Sequence, residues 1–275
     1  MIIGGKTFDT NCQVYIMGIL NVTPDSFSDG GRFCTMDAAL YHAQEMVRDG
    51  ADILDVGGES TRPGHVQISD EEEIGRVVPV IRAIKEKFDI PVSIDTYKSK
   101  VAKAAIAAGA DLVNDIWGLK YDKSMAKVIA DAGVACCLMH NRDNMEYTSF
   151  MDDMLADLRE TIQLAKEAGI ADDKIMLDPG VGVGFAKSYE NNLVAIREVG
   201  RLHELGYPIL LGTSRKSVVG LTLDTTKDER VEGTMVTTVY GVQQGCAFVR
   251  VHDVKENMRA IRMTQAIMRG YRKNG

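Results

Sequence analysis

One unit recurs eight times along this chain: a short apolar run followed by a stretch with helical spacing. The runs are Tyr15 to Leu20, Ile53 to Val56, Pro91 to Ile94, Leu112 to Val113, Val134 to Met139, Lys174 to Leu177, Pro208 to Leu211 and Ala247 to Val251. The intervening helical stretches are Met36 to Arg48, Glu71 to Lys87, Lys98 to Ala108, Lys123 to Ala132, Phe150 to Ala168, Tyr189 to Leu205, Arg230 to Gln244 and Val254 to Arg272. Continuous apolar strands belong to a parallel sheet buried on both faces. A strict βα repeat of eight units predicts an α/β fold, a closed (β/α)8 TIM barrel, over an open doubly wound sheet. Six helical stretches run into a glycine (Gly50, Gly109, Gly133, Gly169, Gly206 and Gly245), where a left-handed residue closes a helix. Before the repeat, Ile2 to Phe8, the turn-formers Asp9-Thr10-Asn11 and then Gln13-Val14-Tyr15 predict a short N-terminal β-hairpin. The 275 residues are expected to form a single domain, 1–275.

Charge and composition narrow the function. With 32 basic against 39 acidic side chains the formal net charge is −7, which disfavours a nucleic-acid binder. No apolar run approaches the ~20 residues that span a bilayer, and the opening residues lack a signal-peptide layout, so no membrane association and a cytoplasmic location are expected. Cys12, Cys34, Cys136, Cys137 and Cys246 show no metal-ligand spacing and read as reduced packing residues. The five histidines form no HxxxH or HxH pair either, which argues against a zinc site.

Reactive groups in such a barrel collect where strands end and loops begin. Nearly every unit carries distinctive residues there: Asn21, the run Gly57-Gly58-Glu59-Ser60-Thr61-Arg62-Pro63-Gly64, Asp95, Asn114-Asp115, His140-Asn141-Arg142, Asp178-Pro179-Gly180, Gly212 to Ser217, and Arg250 with His252. Singly, Asp95 or Asp178 fits a helix N-cap, Asn114 a turn, and Arg250 or His252 a surface ion pair. Eight strand ends facing one mouth favour a shared site instead. Two carboxylates and an amide match the N–H and C=O edge of a flat heterocycle. Lys216, Arg250, His252 and the Ser214-Arg215-Lys216-Ser217 run suit a phosphate group. Ser214 and Ser217 have no histidine base nearby in sequence and no nucleophile elbow, and the glycine-rich run after Asp178-Pro179 lacks the ribose carboxylate of a dinucleotide site.

The stretch Met17 to Gly31, reading MGILNVTPDSFSDGG, resembles the opening signature of the dihydropteroate synthases, folate-pathway transferases targeted by sulfonamides. Asp55 to Gly64, Ser93 to Thr96, Asn114 to Ile116, Asp178 to Gly180, Gly212 to Ser217 and Arg250 to Asp253 are similar to the same family, so the resemblance runs the length of the chain. It implies condensation of 6-hydroxymethyl-7,8-dihydropterin pyrophosphate with para-aminobenzoate, giving 7,8-dihydropteroate and pyrophosphate. By that resemblance Asp95, Asn114, Ile116, Met139, Asp178, Phe185 and Lys216 bind the pterin. Asn21, Arg250 and His252 bind pyrophosphate, with Asn21 also on Mg²⁺, the implied cofactor. Phe27, Thr61, Pro63, Lys216 and Ser217 frame the aminobenzoate, Asp29 and Arg62 order the first two loops, and Asp95, Lys216 and Arg250 are the catalytic set. A homodimer through the late helices is also implied. A corrinoid-linked methyltetrahydrofolate methyltransferase is the related competitor, but it has no need of the first two loop signatures. A noncatalytic pterin-binding protein is the competitor from another class.

Overall fold

The apolar runs become strands in a computed structural model that describes residues 1–23, 32–60, 66–182 and 186–269. Strands β1 (Ile2–Ile3) and β2 (Lys6–Thr7) pair antiparallel, Ile2 with Thr7 and Ile3 with Lys6. The eight parallel strands are β3 (Tyr15–Asn21), β4 (Ile53–Gly57), β5 (Val92–Asp95), β6 (Leu112–Asp115), β7 (Ala135–Met139), β8 (Ile175–Asp178), β9 (Leu210–Leu211) and β10 (Phe248–Val251). The helices are α1 (Arg32–Asp49), α2 (Asp70–Lys87), α3 (Ser99–Ala107), α4 (Met125–Ala132), α5 (Phe150–Glu167), α6 (Tyr189–Arg197), α7 (Ser217–Leu223), α8 (Val231–Gln243) and α9 (Val254–Arg269). Each of β3 to β7 pairs with the next, β10 lies between β3 and β9, and a parallel bridge from Leu177 of β8 to Ile209 closes the ring. The predicted TIM barrel with its hairpin is therefore the fold.

Strand side chains alternate between the barrel interior and the helix layer. Outward residues such as Ile16, Leu54, Val56, Ile94 and Val113 pack with Val77, Ile81 and Val101 of the helices in one large core. Inward residues at the strand starts (Met17, Ile53, Leu112, Met176, Leu210 and Phe248) form a second core, joined by Ile3 and Phe8. Phe8 meets Tyr15 edge-on at 4.8 Å and Phe248 at 5.7 Å, so the N-terminal segment plugs the barrel floor.

Three features differ from the sequence expectation. The hairpin is tighter than Ile2–Phe8 against Gln13–Tyr15: Gly4 and Gly5, at φ +56° and +77°, form its turn, as a two-residue hairpin requires. The helical stretch from Tyr189 breaks after Arg197 into 3₁₀ turns over Val199–Leu205. Gly200 passes close to α8 there, where a Cβ would meet Gln244 Oε1 at 2.6 Å. Helix α7 was hidden because Ser217-Val-Val-Gly-Leu-Thr-Leu is rich in poor helix formers. All six glycines expected to close helices have positive φ. Among the described residues, no helix is long and apolar enough to cross a membrane.

Phe8→Ala removes the plug's aromatic contacts and is expected to cost about 3 kcal/mol, as buried Phe truncations do. Chemical denaturation checks this, and an unchanged midpoint would mean that the segment covers the floor without supporting it.

Candidate active site

At the strand C-terminal ends the inward positions turn polar. Asn21 is in register with Gly57, Gly57 with Asp95, and Asp95 with Asn114, which sets these residues side by side across β3 to β6. Gly57 leaves space between its neighbours: a Cβ there would stand 3.5 Å from Asn21 Oδ1 and 3.8 Å from Asp95 Oδ2. One layer deeper on β4 lies Asp55, wholly buried. Arg250 reaches across from β10, donating from Nε to Asp55 Oδ2 at 2.6 Å and from Nη2 to Asp95 Oδ2 at 2.5 Å. Asn114 Nδ2 donates to the same Asp55 oxygen at 3.3 Å. Burial pushes the Asp95 carboxyl up to about 7 while Arg250 pulls it down. The two carboxylates in turn hold the guanidinium firmly charged. The Oδ1 atoms of Asp55 and Asp95 are buried with no hydrogen-bond partner among the described residues. A buried unmet acceptor needs a reason, and at a strand end in the mouth, Asp95 Oδ1 is placed to receive a ligand N–H.

The other wall is built by β7, β8 and the loop after β9. Met139, half-buried at the end of β7, is in register with Asp178. Asp178 Oδ1 accepts from the Gly180 amide at 2.6 Å. Gly180 has φ +68°, and a Cβ there would collide with the His140 carbonyl at 2.2 Å, so the turn that presents Asp178 requires glycine. Burial raises the Asp178 carboxyl above its usual range, with Lys216 the foremost opposing influence. Lys216 stands at the N-cap of α7 and donates from Nζ to the Val181 carbonyl. Burial lowers its ammonium below the usual lysine range, and Asp178 acts against that shift.

His252 lies beyond β10, and its amide and Nδ1 meet Ser214 Oγ at 3.1 and 3.0 Å. The histidine absent from Ser214's sequence neighbourhood is thus supplied by the fold. The hydroxyl is buried and accepts the His252 amide, a positioning geometry that gives no sign of an activated nucleophile. Burial first, then Arg250, lowers the imidazole to about 3. Arg215 departs from its expected place with the phosphate-binding groups. Its guanidinium is committed to Asp253, at 2.9 and 2.5 Å, and to Asp228 at 3.3 Å.

The structure therefore brings together Asn21, Asp95, Asn114 and Arg250 on one side, Met139, Asp178 and Lys216 on the other, and His252 above β10. Ile116, just past β6, and Ser217, the first residue of α7, are half-buried. Phe27, Asp29, Thr61, Arg62, Pro63 and Phe185 lie outside the described residues. Sequence reading gave no role to Asp55 or Lys187, and placed Ser214 only within a phosphate-binding run. For Asp55 the signal was parity: it faces inward two residues before Gly57, as Ser93 does before Asp95. Lys187 carried no such signal, standing in a loop yet almost fully buried.

No cluster of three or more His, Cys, Asp or Glu suited to a metal occurs among the described residues. The donor set still fits a Mg²⁺ ion that keeps waters and substrate phosphate oxygens, because such an ion takes only one or two protein oxygens. Asn21 Oδ1, beside Gly57, is such an oxygen.

The family model for pterin binding enzymes matches residues 17–252. A dihydropteroate synthase of Clostridium beijerinckii is 62% identical over 98% of this chain and 100% of its own length. This chain belongs to the dihydropteroate synthase family. A solved Clostridium difficile dihydropteroate synthase, determined in the presence of pteroic acid, superposes with a TM-score of 0.92 at 52% identity, covering 96% of this chain and 100% of that one. A Xanthomonas albilineans dihydropteroate synthase with 4-aminobenzoic acid superposes at 0.89 with 40% identity, covering 94% of each chain. Membership in the dihydropteroate synthase family leaves no room for the methyltransferase alternative.

With its folded pKa lowered to about 3, His252 in the free protein is expected to stay neutral throughout pH 5 to 8. An NMR titration of the ring nitrogens checks this, and an imidazolium at pH 6 would contradict it.

Proposed function

We propose that the mouth joins 6-hydroxymethyl-7,8-dihydropterin pyrophosphate to para-aminobenzoate by a largely dissociative substitution, releasing pyrophosphate and forming 7,8-dihydropteroate. The observation that carries this reading is the pair of buried carboxylates, Asp95 and Asp178, on well-separated strands of one mouth, Asp95 ion-paired with Arg250 and Asp178 under the electrostatic influence of Lys216. Asp178 and Asn114 receive and donate hydrogen bonds along the heterocycle's edge, with Ile116, Met139 and Phe185 as its apolar walls. Asp95 presents a lone-pair oxygen to the pterin ring. As the exocyclic C–O bond breaks, the electron pair leaves with pyrophosphate and positive charge spreads into the electron-rich ring. The Asp95 carboxylate opposes that charge, and preorganised groups of this kind act without reorganising.

Arg250 and His252 meet the leaving group. Ser214, already accepting from the His252 amide, donates to Nδ1 and leaves Nε2 as a neutral N–H donor toward the phosphate oxygens. Asn21 would hold Mg²⁺, which when bound supplies further charge neutralisation to the pyrophosphate. Lys216 borders both subsites. With Ser217, Phe27, Thr61 and Pro63 it orients the aminobenzoate so that its amine attacks the exocyclic carbon and then loses a proton. Asp29 and Arg62 order the first two loops around it.

Residues 1–275 act as one domain in this reading, in the cytoplasm, and as a homodimer. The apolar positions of the late helices support the dimer: Val236 (68% exposed) on α8, and Met263 (63%) and Ile267 (71%) on α9, remain open, whereas Val242 and Ile261 belong to the core. Light scattering on the purified chain is expected to give twice the chain mass, and a monomer at micromolar concentration would reject it.

Purified protein given both substrates and Mg²⁺ should release pyrophosphate and form dihydropteroate. A folded sample that binds pterin but releases no pyrophosphate would instead be a noncatalytic pterin-binding protein. Lys216→Ala is expected to lower kcat/KM by at least 100-fold while shifting the unfolding midpoint little, because Nζ holds only a loop carbonyl. Turnover equal to the parent protein would reject its role.

A further inference from the structure

Lys187 is 1% exposed, among the largest fully buried side chains of the described residues, and nothing in the reaction above uses it. It has no salt bridge among the described residues, and its hydrogen bond runs from Nζ to the His140 carbonyl at 3.2 Å. A lysine left in this state is poor design for stability, since burying an ammonium without a partner is strongly unfavourable.

The ammonium sits directly behind the turn that presents Asp178. A Cβ at Gly180 would lie 3.1 Å from Lys187 Nζ. The Gly180 amide donates to Asp178 Oδ1 at 2.6 Å, and the His140 amide donates to the Asp178 carbonyl at 2.9 Å. Lys187, His140, Asp178 and Gly180 therefore form one closed packing circuit. Tyr147 fixes the approach to Lys187 by donating to the Ala186 carbonyl at 2.7 Å. The charged groups that bear on Lys187 are Asp178 and Asp157, which favour its charge, and Lys216 and Arg142, which oppose it. Burial pulls the ammonium down to about 7, with Asp178 the foremost influence holding it up. Lys216 from α7 is the foremost basic group acting on Asp178, and Lys187 adds a weaker influence from behind the turn.

We propose that Lys187 is a positioning residue for this reaction: its buried ammonium, held by the His140 carbonyl, keeps the Asp178 carboxylate ionised and fixed on the Gly180 turn so that it can receive the pterin ring. The inference rests on the reading of Asp178 as a pterin ligand. An ionised carboxylate accepts two N–H donors in one plane, whereas a protonated one presents a donor of its own to that edge.

The test uses the full-length protein and 6-hydroxymethylpterin by calorimetry. Lys187→Met keeps the stem and removes the charge. It is expected to raise the pterin Kd about tenfold, leave the KM for para-aminobenzoate within twofold, and keep or raise the unfolding midpoint. Lys187→Gln retains a donor for His140 but no charge, and should weaken pterin binding similarly; it decides the question alone if the methionine variant does not fold. Pterin affinity within twofold of the parent in Lys187→Gln, or equal losses for both substrates, would overturn the proposal. Asp178→Asn separates the two readings. If it binds pterin normally, the assignment of Asp178 fails and the proposal with it. If Asp178→Asn weakens binding and the Lys187 variants do not, only the Lys187 proposal fails. In an Asp178→Asn background, Lys187→Met should add less than twofold, and a further tenfold loss would show that Lys187 does not act through Asp178.

Discussion

Arg250 is held between Asp55 and Asp95, and the catalytic mouth depends on that bridge. The guanidinium links β10 to β4 and β5 through the barrel interior, with side-chain exposures of 16%, 0% and 7% for Arg250, Asp55 and Asp95. Such a buried triad is weak evidence for stability, because well-packed apolar residues of the same volume often do as well or better. Its value here is positional. The planar fork of an arginine fixes two carboxylates at once, and Asp55 also takes the Asn114 amide. One buried aspartate therefore sets the orientation of the Arg250 guanidinium and of the Asn114 amide, although it stands one layer below the strand ends.

That polar layer is possible only because the layer beneath is sealed. Ile3 and Phe8 close the floor over Met17, Ile53, Leu112, Met176 and Phe248, so the layer beneath the ion triad is apolar. Low dielectric strengthens each pairing in the mouth and makes unmet groups more costly. The unmet Oδ1 of Asp95 is such a group, and a ligand N–H would relieve it. The hairpin is remote from the chemistry in sequence and in space, yet it helps to set the electrostatic setting in which the chemistry occurs.

The barrel was legible because apolar runs and helical spacing alternate eight times over, with closing glycines after six of the helical stretches. Strand ends then pointed to Asn21, Asp95, Asn114, Asp178, Arg250 and His252, since topology alone puts them at one mouth. What escaped were contacts that no local pattern encodes. Asp55 looked like a signature residue inside an apolar strand, Ser214 met its histidine across 38 residues, and Lys187 read as an ordinary loop lysine. Helix α7 escaped for a different reason: its Val, Thr and Gly content defeats propensity, and packing decides. Arg215 misled in the opposite sense, since a basic run near a phosphate loop gave no hint that one member was tied to Asp253.

The chain's net charge of −7 coexists with a mouth region where three carboxyls, Asp55, Asp95 and Asp178, face three basic groups, Arg250, Lys216 and Lys187. Opposed acidic and basic groups in equal number suit a substrate that changes its own charge distribution during reaction. The pterin pyrophosphate arrives anionic at one end, and in the dissociative step its ring becomes cationic while the leaving group gathers negative charge. In the proposed reading, carboxylates set toward the ring and cations toward the leaving group stabilise that separation at both ends. In the proposed reading the neutral His252 fits the same logic, because a donor without charge would bind phosphate oxygens without holding the departing pyrophosphate as tightly as a third cation would.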